Sequence, residues 1–497
     1  MTHDVLPIPG TSPYGLTEQD FEDLGSRGID PRHAGAQLER LRRGARRLEL
    51  ERPATLGDGI EVLDPENVEA RRAAYREALP RTTRFVPASG AATRMFSDLR
   101  RKLDRSQTDV CDQGPFFDQP WPFRSAISEA RSNSGDLAAQ LHGLLFGEDG
   151  LASRPKALLP FHLDGVHERT AFEEQVLEAV EFARHGDCRT VRLHLTISPE
   201  HRDAIVALES RLTAELASHD LDLHVGYSHQ DPSTDTLSLT ENHCPLRETE
   251  EDDAPLVLRP GGHGALLHNL ERSGGDLVLI KNIDNVQPRS RRSVAVRWRA
   301  ALLGALGLAR AETFEVMEAL HDPTPAVIRR ALDLLRRFGR VPADRDPESL
   351  RAEFNRPLRI CGVVLNQGEP GGGPFWVRDR QGRSTLQIVE AAQVDRESHE
   401  QHAMLQRSTH FNPVDVACAL RDANGDPYPL ADFRDDDAYF VADKSHAGRP
   451  IRALEHPGLW NGSMAHWLTL FVEAPPETFT PVKTVWDLLR PEHQSEP

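Results

Sequence analysis

The chain has 497 residues, of which 38% are hydrophobic and 27% charged, and its formal net charge is −18 at pH 7. This composition is typical of a soluble globular protein, and the length allows a large core with additional elements. The acidic balance argues against a nucleic-acid-binding surface, and no apolar stretch is long enough to cross a bilayer. The N-terminus also lacks the basic and apolar regions of a signal peptide.

The cysteines are scattered and odd in number, and they form no CxxC pair: Cys111, Cys188, Cys244, Cys361 and Cys418. This pattern predicts a reducing, cytoplasmic location rather than a disulfide framework or a structural zinc site. The most basic stretch, Arg40 to Arg47, lies in a helical pattern, so we interpret it as a solvated helix face. A small anionic substrate would therefore need a few focused cationic groups or a metal ion.

The predicted elements change character along the chain. Residues 1–80 predict a helical extension, with helices from Leu16 to about Pro80 and a capping box formed by Thr17 and Asp20. From residue 81 to 497, short apolar runs alternate with longer helical patterns. Strands are predicted in 188–198, 221–228 and 276–282, helices in 199–220 and 264–275, and a helical insertion near 120–150. The alternation predicts an α/β, Rossmann-like core with a mixed, mostly parallel sheet flanked by helices.

Four unusual turns each follow a predicted strand. "ASGAATR" follows "RFVP", "GGHG" follows "LVLRP", "IDN" follows "DLVLIKN", and Lys483 follows "ETFTPV". Ligands of open α/β sheets bind beyond the carboxyl ends of the strands. We therefore expect one ligand site at this edge of the sheet.

The first of these turns has the composition of an anion-binding loop. Ser89, Gly90 and the alanines after them allow backbone N–H groups to approach phosphate oxygens, and Arg94 would add a forked cation. The loop is neither a P-loop nor a dinucleotide fingerprint. A plain strand-to-helix turn with Arg94 on the surface is the alternative interpretation.

Lys156, Asp284 and the glycines of "GGHG" each have two interpretations. Lys156 can meet a phosphate or lie exposed beside a proline turn. Asp284 suits a Mg²⁺ ligand, whereas the alternative is that Asp284 or Asn285 caps the next helix. The glycines can admit a flat base or simply form a turn.

Seven stretches occur in the order found in sugar-nucleotide pyrophosphorylases of the uridine-diphosphate-sugar type: "SGAATR", "PKALLP", "PGGHGALLHNL", "IDN", "LQIVEAAQ", "HFNPVDVACAL" and "FTPVKTVWDLL". The chain from about Arg84 to Arg490 therefore resembles these nucleotidyltransferases, which belong to the GT-A-like superfamily of nucleotide-diphospho-sugar transferases. Three longer stretches resemble a bacterial family still more closely, domain of unknown function 4301: "FVPASGAATRMF", "GEPGGGPFWV" and "HPGLWNGSMAHW".

The resemblance implies a role for each matching position. The nucleotide phosphates would lie on Ser89, Gly90, Ala91, Ala92 and Thr93. The catalytic cations would be Arg94, Lys156 and Lys483, and Asp284 would bind Mg²⁺. The base would face Gly261 and Gly262, with Gln230 beside it. The sugar would face Glu390 and Asn412, or Asn412 would complete the metal site instead.

The implied reaction is Mg²⁺-dependent nucleotidyl transfer from a nucleoside triphosphate to a sugar 1-phosphate. The nucleophile is already anionic, which agrees with the absence of a recognisable general base. A catalytically inactive nucleotide-sugar-binding or regulatory protein is the alternative, favoured by Ser89 and Ala92 where the family has glycine. A GT-A-type glycosyltransferase is a further alternative, although "IDN" supplies only one carboxylate. We expect no nucleic-acid or membrane partner.

Overall fold

The structure, a computed structural model, describes residues 15–63, 67–90, 92–105, 114–133, 136–148, 150–251, 253–368 and 371–494. The helices are α1 Glu18–Ser26, α2 Pro31–Arg43, α3 Val68–Ala78, α4 Ser97–Arg105, α5 Gly114–Phe117, α6 Arg124–Asn133, α7 Leu137–Phe146, α8 Ala171–His185, α9 Arg202–Ala217, α10 Leu266–Arg272, α11 Arg292–Ala319, α12 Pro325–Arg337, α13 Pro347–Phe354 and α14 His399–Gln406. The strands are β1 Glu49–Pro53, β2 Thr55–Leu56, β3 Gly59–Glu61, β4 Thr82–Pro87, β5 Pro160–Asp164, β6 His167–Thr170, β7 Thr190–Thr196, β8 Asp222–Ser228, β9 Ser238–Thr240, β10 Leu277–Lys281, β11 Leu358–Leu365, β12 Gly372–Arg378, β13 Ser384–Glu390, β14 His410–Phe411, β15 Asp415–Ala419, β16 Phe440–His446, β17 Arg449–Glu455 and β18 Leu468–Glu473.

A ten-stranded sheet forms the centre of the fold, in the order β2-β3-β18-β11-β15-β10-β4-β7-β8, with β14 paired to β11. Strands β10, β4, β7 and β8 run parallel to one another, whereas β15 is antiparallel to both of its neighbours. Every residue of β10 is buried, as expected of an interior strand with both faces covered. Helices α8 and α11 pack in this core, and α11 lies along α3. The predicted mixed, mostly parallel sheet flanked by helices is confirmed.

Most predicted elements of the core form where the periodicity places them. The strands are β7, β8 and β10, the helices are α9 and α10, and the insertion near 120–150 contains α6 and α7. None of the helices in the described part of the chain is long and apolar enough to span a membrane.

Three predictions about local structure are wrong. The stretch from Leu16 to Pro80 is not entirely helical, because β1, β2 and β3 lie between α2 and α3; β1 joins β12, and β3 joins the central sheet. These strands are too short and too charged to show a clear period. "LVLRP" forms isolated bridges rather than a strand, and Lys483 likewise follows a bridge, between Asn285 and Pro481. The domain division at residue 80 stays a prediction.

A buried network of charges joins three central strands to two helices. Arg84 of β4 lies 2.7 Å from the Glu178 carboxylate of α8, and Arg299 of α11 lies 3.1 Å from it. Lys281 of β10 also binds Glu178, and Arg299 makes a two-pronged contact, at 3.0 Å for each prong, with Asp415 of β15. The network therefore fixes the positions of β4, β10 and β15 relative to helices α8 and α11.

The charges in this network shift one another's pKa. Burial alone would raise the pKa of Glu178, but Arg299, Lys281 and Arg84 outweigh it and hold that pKa far below its ordinary value. Burial, together with the charge of Arg299, lowers the pKa of Lys281 to about 7. The carboxylate of Glu178 is thus the anion on which three cations depend.

A second buried chain of polar groups anchors the C-terminal segment. Arg292 donates to the Glu174 carboxylate at 2.6 Å, and His162 Nδ1 lies 3.0 Å from the other oxygen of that carboxylate. His162 Nε2 and His493 Nδ1 are 2.9 Å apart, and the two rings stack. This histidine relay ties residue 493 to α8 and α11, and so restrains the segment that carries Lys483.

Replacing Glu178 by Gln removes one negative charge and keeps nearly the same shape. Three buried cations would then face a single carboxylate, and breaking a buried pair in this way typically costs about 3–5 kcal/mol. We expect the free energy of unfolding, measured by urea titration, to fall by about that amount. Glu181→Gln on the same helix is the matched control, because the Glu181 side chain is partly exposed and its contact with Arg292 is loose, at 3.9 Å. Equal losses in the two variants would contradict the network.

Acidification should destabilise the histidine relay. Burial, with the nearby His162 and Arg490, lowers the pKa of His493 to about 3, although the Thr480 backbone acts in the opposite direction. The unfolded chain accepts a proton near pH 6.5, so folding stability is lost as the pH falls below about 6.5, by up to about 1.4 kcal/mol per pH unit. We expect unfolding free energies measured from about pH 7 to pH 5 to fall more steeply for the wild type than for His493→Gln. Parallel curves would show that His493 does not titrate in this way.

Candidate functional site

Three of the predicted site residues meet at one carboxylate. Lys156 Nζ lies 2.8 Å from Asp284 Oδ2, and Lys483 Nζ lies 3.3 and 3.1 Å from Asp284 Oδ1 and Oδ2. The side chains of Lys156 and Asp284 are largely buried, whereas that of Lys483 is 49% exposed. We call this group the Lys–Asp–Lys cluster.

The cluster carries one more positive charge than negative charge. Burial would raise the pKa of Asp284, but Lys483 and Lys156 hold it below its ordinary value, so the carboxylate stays ionised. A single anion shared by two ammonium groups leaves a local excess of positive charge in a chain of net charge −18. The arrangement can attract a small anion despite the acidic surface.

Hydrogen bonds from neighbouring segments position the turn that carries Asp284. Gln175 Nε2 donates to the Asn282 carbonyl at 2.9 Å, and the Val482 N–H donates to the Asp284 carbonyl at 3.0 Å. Asn285 Oδ1 accepts the Thr480 N–H at 3.1 Å. Neither Asp284 nor Asn285 caps a helix, since α11 begins after its N-cap residue Arg291. The capping interpretation of "IDN" is therefore wrong.

Asp487 orients the turn that carries Lys483. Its Oδ2 accepts the N–H groups of Lys483 and Thr484 at 2.8 and 2.7 Å. The Val485 N–H donates to the Met95 carbonyl at 3.0 Å and so joins this turn to the end of the loop that follows β4. Sequence analysis missed Asp487, although "TVWD" has the spacing of a capping box.

The loop after β4 lies directly beside the Lys–Asp–Lys cluster. Ser198 Oγ donates to the Ser89 carbonyl at 3.0 Å, and the Ala92 N–H donates to the Arg154 carbonyl at 3.0 Å, two residues before Lys156. Gly90 is exposed, and a Cβ placed there would meet nothing within 4 Å. Ala91, which belongs to the predicted phosphate loop, lies outside the described residues.

The remaining residues of this loop differ in exposure. Ala92 is fully buried in an apolar cluster with Met95 and Phe96, so its methyl group lies in the core rather than on the open side of the loop. Its N–H is bonded internally. Thr93 and Arg94 are exposed, and Arg94 makes no ion pair or hydrogen bond with the residues that the structure describes. The loop therefore presents Gly90, Thr93 and Arg94 outward.

The glycines predicted to face a base are closely packed against protein. A Cβ on Gly261 would lie 2.4 Å from His456 and 2.7 Å from the Thr234 carbonyl, and one on Gly262 would lie 2.9 Å from Glu455. Gly262 also has a φ of +75°, which side chains rarely adopt. Protein packing and backbone conformation account for these glycines without a ligand.

Glu390 lies in a second group of polar residues, at the end of β13. Burial raises the pKa of the Glu390 carboxyl, and the neighbouring Glu455 raises it further. His263 stacks on Trp460 with ring centroids 4.3 Å apart, and burial lowers its pKa to about 4. These residues lie around the "GGHG" turn, and among the described residues none of them has a hydrogen bond or ion pair with the Lys–Asp–Lys cluster.

The side-chain amide of Asn412 is hydrogen-bonded within the protein, whereas the amide nitrogen of Gln230 is not. The Asn412 side chain donates to the Gly362 carbonyl at 2.8 Å and accepts from the Val414 N–H at 3.1 Å, so it braces the turn before β15. Gln230, just after β8, has a buried Nε2 with no hydrogen-bond partner among the described residues. A buried amide without a partner can bind a polar ligand atom.

The metal prediction concerns one carboxylate, that of Asp284. Within the described residues, no group of three or more His, Cys, Asp or Glu side chains is arranged to hold a metal ion. Asp284 offers a single carboxylate, and both of its oxygens contact lysine ammonium groups.

Comparison with known proteins gives a family and a set of structural neighbours. No curated protein matches the chain. Among solved structures, the UDP-glucose pyrophosphorylase from Leishmania major is 14% identical, with a TM-score of 0.45 over 97% of this chain and 79% of that one. UDP-glucose phosphorylase from Trypanosoma brucei is 15% identical, with a TM-score of 0.45 over 96% and 78% of the two chains. A mutant of the Leishmania major enzyme in complex with UDP-glucose is 13% identical, with a TM-score of 0.45 over 96% and 79%.

The family match covers nearly the whole chain, from residue 17 to residue 494. It includes the loop after β4, the Lys–Asp–Lys cluster and the group around Glu390. By this match the chain belongs to the family described as Domain of unknown function (DUF4301).

Proposed function

We propose that the protein is a nucleotidyltransferase that joins a nucleoside triphosphate to a sugar 1-phosphate and releases pyrophosphate. The observation that carries the proposal is the Lys–Asp–Lys cluster, in which two lysines from distant parts of the chain share one carboxylate. The cluster lies beside an exposed loop at the carboxyl ends of β4 and β10, where α/β folds bind ligands. The resemblance of seven ordered stretches to nucleotidyltransferases supports the same reaction.

The proposed reaction needs positioning and charge neutralisation more than proton transfer. An oxygen of the sugar phosphate attacks the α-phosphorus, and the bond from that phosphorus to the bridging oxygen of the leaving pyrophosphate breaks. Because the nucleophile is already an anion, no general base is required. Fixed cations stabilise the negative charge that shifts onto the phosphoryl oxygens and the leaving group.

The two lysines differ in accessibility, which suggests different roles. Lys156 is held between Asp284 and the Val482 carbonyl, at 2.8 and 2.9 Å, and would neutralise the reacting phosphates from a fixed position. Lys483 is half exposed and would turn outward to hold the sugar phosphate. Arg94 and the Gly90 backbone would contact the remaining triphosphate oxygens.

Asp284 would be the protein ligand for Mg²⁺. Mg²⁺ in phosphoryl-transfer sites is commonly bound by one or two carboxylates, with phosphate and water oxygens completing its shell, so a single carboxylate fits an ion that arrives with the triphosphate. Lys483 would have to leave Asp284, and its exposure permits this. When bound, the ion would neutralise phosphate charge.

An inactive nucleotide-sugar-binding protein is the alternative, and the residues that favour it are Ser89 and Ala92. The Ala92 methyl group lies in the core and does not narrow the open side of the loop. The Ser89 carbonyl accepts a hydrogen bond from Ser198 Oγ, and the space beside Gly90 is open. The burial of the Ala92 methyl group supports a loop whose open side a triphosphate can approach.

Replacing Lys156 or Lys483 by Ala should lower kcat/KM by about 10²–10³, as is typical when one transition-state-stabilising group is lost. The measurement is pyrophosphate release across a panel of nucleoside triphosphates and sugar 1-phosphates. Lys102→Ala on α4 is the control and should retain activity. Full activity in both cluster variants would overturn the proposal. Ligand-induced thermal stabilisation without any pyrophosphate release would favour the binding-protein alternative.

Asp284→Asn tests the metal role separately. The amide is a weaker Mg²⁺ ligand than the carboxylate, so we expect the Mg²⁺ concentration for half-maximal pyrophosphate release to rise about tenfold or more. Direct Mg²⁺ titration by calorimetry, with the triphosphate present, supplies a second readout. An unchanged Mg²⁺ dependence in both measurements would show that Asp284 is not the ligand.

A further inference from the structure

A cavity of about 150 Å³ lies apart from the Lys–Asp–Lys cluster and shares no lining residue with it. Its walls are the β12–β13 hairpin, the chain after α2 and the segments around residues 435–438 and 461–466. The positive side chains that line it are Arg46, Arg340, Arg378, Arg380 and Arg383. We call it the arginine cavity.

The arginines of the cavity are held by carboxylates inside and outside its lining. The lining itself contains three aspartates, Asp379, Asp435 and Asp437, whereas Arg378 and Arg340 pair with Glu51 and Glu353, which lie outside it. The arginines come from sequence-distant stretches: one is the basic segment Arg40 to Arg47, and another is "RDRQGR" at the hairpin turn. Folding therefore gathers cations at one concavity in a protein of net charge −18.

Two arginines of the lining, Arg340 and Arg383, share carboxylates with a neighbouring arginine. Arg340 and Arg356 lie 2.9 and 3.0 Å from the same oxygen of Glu353, and Arg383 lies 3.9 Å from the other oxygen. Arg383 also contacts Asp379 at 2.8 Å. Three guanidinium groups thus share two carboxylates at this side of the cavity.

Burial is the main cause of the lowered pKa values beside these arginines. Burial and then the charge of Arg340 lower the pKa of Arg356 to about 10; Glu353 acts in the opposite direction, and Arg383 lowers the pKa further. Burial also lowers the pKa of His466 and outweighs Asp435, which raises it, while the surrounding arginines lower it, so the imidazole lining the cavity is neutral at pH 7. A neutral imidazole and several guanidinium groups form a lining suited to an anion.

The rim of the cavity is able to exchange partners. Arg46 lies 3.8 Å from Asp435, a loose contact, and both side chains are about one-third exposed or less. Arg380 pairs with Asp437 but is itself 57% exposed. Loose or exposed ion pairs contribute little to stability, so a multivalent anion can compete with the two aspartates for the guanidinium groups.

We propose that the arginine cavity binds the phosphoryl group of a small molecule. Arginine forks bind phosphate with two parallel hydrogen bonds, which matches a lining with several guanidinium groups. Drug-sized ligands occupy pockets of roughly 300–1,000 Å³, so a cavity of about 150 Å³ fits a phosphoryl or pyrophosphoryl group rather than a whole nucleotide. This site does not depend on the proposed function.

The test is isothermal titration calorimetry with pyrophosphate and, separately, with glucose 1-phosphate. The parent protein carries Lys156→Ala and Lys483→Ala, which remove the cations of the Lys–Asp–Lys cluster. We expect saturable binding of one anion per chain in this parent. Adding Arg46→Gln and Arg380→Gln should weaken that binding tenfold or more, whereas the matched control Arg329→Gln, an exposed arginine of α12, should leave it unchanged.

Each outcome decides the question, provided that all variants unfold cooperatively like the parent. Loss of binding only in the variants of the arginine cavity supports the proposal. Binding of pyrophosphate alone identifies a free anion as the ligand, whereas binding of glucose 1-phosphate shows that a phosphorylated metabolite also fits. Absence of binding in the lysine-substituted parent, undiminished binding after Arg46→Gln and Arg380→Gln, or an equal loss in Arg329→Gln, overturns it. Those results leave the activity assay of the cluster untouched, so the two proposals fail independently.

Discussion

The core depends on the buried ion pairs that the Glu178 carboxylate makes with three cations. Glu178 lies on α8 and binds Arg84, Lys281 and Arg299 where water cannot reach them. A buried cation without a partner is strongly destabilising, so these side chains fix β4, β10 and α11 relative to one another. Asp415 extends the same constraint to β15. The antiparallel strand is thereby held at the centre of an otherwise mostly parallel sheet.

The same constraint sets the geometry of the candidate site a few residues further on. Lys281 is three residues before Asp284, and Arg84 is five residues before Ser89. Each of the two loops therefore begins close to a side chain that the charge network holds in place. Gln175, one turn before Glu178 on α8, fixes the Asn282 carbonyl. The backbone that carries Asp284 is thus held by contacts from several distant segments, as a preorganised site requires.

Sequence patterns predicted the parts of this architecture that have a local signal. The strands around Val191, Leu223 and Val278 alternate or run apolar, and the loop after β4 stands out by composition. Contacts between distant segments have no such signal: Lys281 is in an apolar run, and its partner Glu178 lies 103 residues away. Likewise, the glycines of "GGHG" could equally suit a base, because their packing against Glu455 and His456 depends on the tertiary fold.

The Lys–Asp–Lys cluster also has a consequence for how the chain acquires its site during synthesis. Lys156 and Asp284 are 128 residues apart, and Lys483 follows Asp284 by 199 residues. Closing such long loops is the slow, entropically unfavourable step of folding. A nascent chain emerging in order from the ribosome can pair its first lysine with the aspartate long before the second lysine exists. Lys156 and Asp284 by themselves carry no net charge, so the local positive charge of the cluster arises only after the segment with Lys483 has docked.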